Sequence, residues 1–164
     1  MLTNELADKL GETLVVCSLH HKRMMFSFNS IRHYFPLTNE VFGNISQLEM
    51  ALFDQLIYRF SKLQDTMGAR LFKQILEAIE EDVTGLPFID ILYKLEKLNL
   101  LPDAKTWMQL RQTRNNVAHE YPSFKEIQIE ELNFLPEQVI QLEVIWLSLE
   151  EYSKKLLTKY KNLL

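Results

Sequence analysis

The chain has 164 residues, 47% of them hydrophobic and 24% charged, with a formal net charge of −4. That balance suits one globular domain over residues 1–164, and the acidic sum alone does not favour a nucleic-acid binder. With 4 glycines, 5 prolines and the single cysteine Cys17, a turn-rich β fold, an internal disulfide and a CxxC metal site are all excluded. No apolar run approaches the ~18 residues of a membrane span. The opening MLTNELADKLGE is polar and acidic, unlike a secretory signal, so a cytoplasmic location is expected. The charge is unevenly spread. Lys105, Arg111 and Arg114 lie in a stretch to His119 without an acid, whereas Glu126–Glu151 holds glutamates and no cation. The tail from Tyr152 carries Lys154, Lys155, Lys159 and Lys161.

Apolar positions recur at helical spacing almost throughout. A first helix begins near Thr3 with the stripe Ala7, Leu10, Leu14, Cys17, His21, Met24, Phe28, Ile31 and Phe35; Pro36 ends it, or Asn29–Ser30 breaks it earlier. After a loop over Pro36–Asn44, a second helix opens on the capping box Ser46 and Glu49. Its stripe is Leu48, Leu52, Leu56, Leu63, Met67, Leu71, Ile75 and Ala78, with a kink or a close helix crossing expected at Gly68. A short third helix starts at Pro87 and runs to about Leu98. A fourth starts near Asp103 and must stop by Pro122. A fifth starts at Pro136 with Val139, Leu142, Trp146, Leu149, Leu156, Tyr160 and Leu163, interrupted by Ser153. No segment alternates as a strand, so the expected fold is all-α, an up-and-down bundle of about five helices.

The chemistry-bearing stretch is Arg114-Asn115-Asn116-Val117-Ala118-His119-Glu120-Tyr121-Pro122. Trp107, Leu110, Arg114, Val117 and Tyr121 follow a 3-4 spacing, which puts Arg114 on an otherwise apolar stripe. A cation there needs an anion or a polar partner. Asn115 and His119 are four apart and neighbours on a helix. Arg114 and His119 are five apart, about 140° around a regular helix. Either the helix distorts before Pro122 or the working site combines residues from two chains. His119, placed in the last helical turn, is favoured as imidazolium by the helix dipole and can act as acid or base. Arg114 offers a forked guanidinium for a phosphorane. On these residues alone, a capping role for His119 and a packing role for Tyr121 stay open. Arg59 interrupts the second helix's stripe, as a contact to the site or as a structural ion pair. His20, His21 and His33 have no partners at metal-ligand spacing, so no metal and no cofactor is expected. Cys17 reads as core.

This stretch resembles the HEPN superfamily, whose ribonucleases carry an arginine, four to six residues, then a histidine. It is more similar still to the HepT toxins, which add a tyrosine two positions after the histidine. Arg114, His119 and Tyr121 fit without a gap, and Tyr58-Arg59-Phe60-Ser61-Lys62-Leu63-Gln64-Asp65 is also similar to these proteins' second helix. The resemblance implies a HEPN-like domain acting as a homodimeric, metal-independent endoribonuclease toxin. Arg114, His119 and Asn115 would be its catalytic set, and Arg111 and Arg59 further contacts to RNA phosphate. It also implies a nucleotidyltransferase antitoxin that transfers AMP to Tyr121. The alternative is a non-catalytic nucleotide- or substrate-binding subunit of a nucleotidyltransferase complex. The two-fold interface is expected to include the Trp107–Tyr121 stripe, since one motif histidine per chain cannot be both acid and base.

Overall fold

The computed structural model describes residues 2–118 and 125–163, and these form an all-α bundle. Helix α1 (Asn4–Ile31) starts where the Thr3 hydroxyl accepts the Leu6 N–H at 3.2 Å. Asn29 and Ser30 do not break it. The Ser30 hydroxyl donates to the Phe26 carbonyl at 2.8 Å, so the helix interior satisfies it. A 3-10 turn (Arg32–Tyr34) then leads to Pro36. A short helix α2 (Asn39–Gly43), capped by Thr38, lies inside the expected loop.

Helix α3 (Gln47–Thr66) begins at the Ser46 cap. It continues through a π-helical segment (Met67–Leu71) into α4 (Phe72–Ala78). The disturbance expected at Gly68 is thus a π turn, an extra residue in the coil that shifts the helix face without breaking the rod. The α3 stripe is corrected at its start. Leu48 is 78% exposed, and Phe53 and Phe60 join the expected Leu56 and Leu63 in the core. Helix α5 (Phe88–Lys97) follows Pro87, and α6 (Ala104–Val117) follows Asp103, whose carboxylate caps the Thr106 N–H. Helix α7 (Lys125–Asn133) was not foreseen; α8 (Leu135–Lys161) carries Pro136 in its first turn.

Helices α1, α3, α6 and α8 close a ring, each packed against the next. His21 Nε2 meets Glu143 Oε1 at 2.9 Å, and the Tyr160 hydroxyl bonds the Asn4 side chain. These two contacts set α1 antiparallel to α8. On the other side of α1, Gln55 Nε2 donates to Ser27 Oγ at 3.1 Å, and Arg59 reaches His20, which sets α3 antiparallel to α1. Phe28, Phe53, Phe60, Phe72, Trp107 and Trp146 fill the centre, with Cys17 buried among them. Each such side chain contributes roughly 1.5–3 kcal/mol relative to exposure. Among the described residues no helix is long and apolar enough to cross a membrane.

Candidate functional site

Trp107 and Leu110 turn the inner face of α6 into the core. Arg114, one turn beyond Leu110, starts from that face and emerges at the seam with α3. There its Nη2 donates to Asp65 Oδ2 at 3.1 Å and its Nη1 to Asn115 Oδ1 at 3.2 Å. The anion that an arginine on this stripe requires is therefore Asp65, 49 positions away in sequence. The pair is half-exposed, with Arg114 at 34% and Asp65 at 48%. Its chief effect is to aim the guanidinium, since such pairs add little to stability.

Between α3 and α6 lies a cleft of about 530 Å³. The π turn forms its floor: a Cβ on Gly68 would meet the Phe88 ring at 3.6 Å and Trp107 at 3.7 Å. Ala69, Phe88 and Trp107 supply apolar wall. Gln64, Arg111, Arg114 and Asn115 supply polar groups. Arg111 is laid over Phe88, its guanidinium carbon 5.2 Å from the ring centroid. Two donors in this lining have no acceptor among the described residues. Gln64 is only 4% exposed and its Nε2 is unpaired; Arg114 Nε is also buried and unpaired. A buried donor left unmade costs about 1–3 kcal/mol. Two of them beside Arg111 make a cleft suited to an anionic ligand rich in acceptors.

Helix α6 ends earlier than Pro122 would dictate. Val117 is its last residue, and the Ala118 N–H closes it on the Arg114 carbonyl at 3.2 Å. The expectation that His119 sits in the last helical turn falls outside the described residues. His119 and Tyr121 themselves lie outside the described residues, as does any geometry between them and Arg114 or Asn115. On either side of them the chain is tied together: Asn116 Nδ2 donates to Glu131 Oε2 at 2.9 Å and joins α6 to α7.

Of the other expected contacts, the cleft gathers Arg111 but not Arg59. Arg59 faces α1, where its Nη1 donates to His20 Nδ1 at 2.9 Å. It makes no ion pair with a carboxylate among the described residues. The dimer stripe is also corrected, because Trp107 and Leu110 are covered by the chain's own core and offer nothing to a partner. Among the described residues no three His, Cys, Asp or Glu side chains gather as metal ligands.

Compared with family models, characterised proteins and solved structures, the chain matches none. Its function must be read from the cleft and the motif beside it. Gln64, Asp65 and Phe88 were not among the expected site residues, and Gly68 was expected only as a kink or crossing point. The available signal was Gln64 and Asp65 ending the Tyr58–Asp65 stretch just before the one glycine of the long second helix.

Proposed function

We propose that the protein is a HepT-like endoribonuclease of the HEPN type that works as a homodimer and needs no metal. The observation that carries this reading is the cleft that sets Arg114, held by Asp65 and Asn115, beside Arg111 and Gln64. A phosphodiester in this cleft would meet the guanidinium groups of Arg111 and Arg114. Arg114, aimed by Asp65 and Asn115, would face the charge that builds on phosphorus when a 2′-hydroxyl attacks. His119 would move the proton, taking it from the hydroxyl or giving it to the leaving 5′-oxygen. A second copy would provide the second histidine, and the products would be a cyclic phosphate and a 5′-hydroxyl. Tyr121, two residues on from His119, is the proposed site to which a nucleotidyltransferase antitoxin transfers AMP from ATP with release of pyrophosphate, adding bulk and negative charge to the motif.

The test is cleavage of single-stranded RNA by the purified chain in EDTA, with light scattering on the same sample. We expect a dimer whose activity survives chelation. His119→Ala and Arg114→Ala should each lower the rate about 100-fold or more. Equal cleavage by wild type and His119→Ala would remove the catalytic assignment. A monomer would remove the shared site. Tight nucleotide binding in the cleft without cleavage would favour the binding-subunit reading, which the cleft's size and the exposed edge of Phe88 also suit.

A further inference from the structure

Across α3 from the cleft sits a second group of cations. Arg59 and Lys62 of α3 flank Tyr58, and Arg59 reaches across the seam to His20 of α1, a neutral acceptor that also feels the charge of Arg23. The Arg59 guanidinium carbon is 5.1 Å from the Tyr58 ring centroid, and Lys62 Nζ is 5.7 Å from it. Arg59, Lys62 and Arg23 each act on His20 electrostatically, and together with burial they hold its pKa down. Among the described residues none of the three forms an ion pair with a carboxylate. Elsewhere on this surface lysines do find acids, as Lys9, Lys94, Lys154 and Lys155 show. Arg59 Nε is buried with no acceptor at all. In the midst of this unneutralised charge, Tyr58 is 52% exposed.

The placement relative to the cleft follows from helix geometry. Tyr58, Lys62 and Asp65 are spaced four and three apart on regular α3, so they share its solvent face. Tyr58 lies two turns from Asp65, about 10 Å along the axis at 1.5 Å per residue. A strand whose scissile phosphate sat at Arg114 would cross that face next.

We infer that Tyr58, Arg59 and Lys62, with His20 and Arg23 behind them, form a track for single-stranded RNA leading out of the cleft, Tyr58 stacking a base and the cations holding the adjoining phosphates. An exposed aromatic ring flanked by unpaired cations is the pattern by which proteins hold single strands without reading sequence. This inference rests on the ribonuclease reading for its ligand, but it concerns other residues, so the two can fail separately.

The test is fluorescence polarisation with a labelled single-stranded RNA of about ten nucleotides, using the full chain and, in parallel, AMP as competitor for the cleft. Tyr58→Ala should weaken RNA binding about 10-fold, since base stacking on an aromatic ring is worth ~1–3 kcal/mol. Lys62→Gln and Arg59→Gln should each flatten the salt dependence by about 0.7 in log–log slope, one phosphate contact apiece. None of the three should alter AMP binding. Arg114→Gln should weaken both ligands. Melting temperatures would confirm that the variants are folded, which the exposed positions of Tyr58 and Lys62 favour. RNA affinity and salt slope unchanged in all three α3 variants, with Arg114→Gln still weakened, would overturn the track and leave the cleft standing. Loss of no affinity in Arg114→Gln would overturn the cleft instead. A poly-glutamate peptide bound as tightly as RNA, with the same dependence on Lys62 and Arg59 and none on Tyr58, would overturn the assignment to RNA.

Discussion

The His20–Arg59 contact fixes a protonation state. An arginine guanidinium stays charged and can only donate, so His20 Nδ1 must present its lone pair at 2.9 Å. His20 is therefore neutral, with its proton on Nε2. Burial, Arg59 and Lys62 from α3, and Arg23 from its own helix all push its pKa below the usual histidine value of 6.5. The sign of the pH effect follows. Between the lowered folded value and 6.5 the unfolded chain binds more proton than the folded one, so stability falls with acidification. The contribution is intact above about pH 6.5 and is lost as pH drops through the folded pKa. His20→Gln keeps an acceptor for Arg59 and removes the titration. We expect urea midpoints measured between about pH 7.5 and 5.5 to fall less in this variant than in the wild type. Parallel curves would mean that His20 carries none of the acid sensitivity. The Arg114–Asp65 pair belongs to the same scale but was not visible from spacing. An arginine on an apolar stripe announces that it needs an anion, and nothing local says that the anion is 49 residues upstream.

For the helices, periodicity was sufficient where a helix is long and buries one face. Helices α1, α3, α5, α6 and α8 all lie where their stripes and caps put them, within a turn at the ends. It failed for α2, which has five residues and no buried one. It failed again for α7, where KEIQIEELN places isoleucines two apart among acids; Ile129 and Leu132 are buried among its described side chains. Pro122 set an outer limit for α6, and the helix ends inside that limit, at Val117. Gly68 signalled a disturbance, but its kind depends on Phe88 and Trp107 lying across from it. The interruption of the α8 stripe was also legible, and it has an energetic consequence. Ser153 is fully buried and its hydroxyl has no partner. Ser153→Ala removes an unsatisfied polar group and improves helix propensity at the cost of one small oxygen-sized gap. The expected outcome is a gain of about 1 kcal/mol in chemical denaturation; a loss of similar size would show that the hydroxyl is satisfied after all.

At the scale of the whole molecule, the long helices of the ring are held by apolar burial, and one amide adds a polar tie between α7 and the loop that joins α1 to α3. Asn133, at the end of α7, accepts the Leu37 N–H on Oδ1 at 2.6 Å and donates from Nδ2 to the Leu37 carbonyl at 3.0 Å. It thereby satisfies both main-chain groups of a residue whose side chain is buried and which precedes it by 96 positions. Asn116 and Glu131 tie the opposite side of α7 to α6. Helix α7 therefore connects the cleft-bearing helix to the far loop, although its own apolar contact is small. Only a side chain with an acceptor and a donor side by side can serve Leu37. Asn133→Ala leaves both groups unpaired. Asn133→Asp retains the acceptor but sets a charged oxygen against the Leu37 carbonyl. Two partly buried bonds lost without replacement should cost roughly 1–3 kcal/mol, and the aspartate should rescue little of it despite being nearly isosteric. Hydrogen exchange separates this local tie from a general loss of stability. The Leu37 amide should lose protection in both variants by more than the buried amides of α1 and α8 do. Equal loss across all of them would mean that Asn133 supports the bundle only globally, and unchanged midpoints in both variants would mean that the loop is held by Leu37's side chain alone.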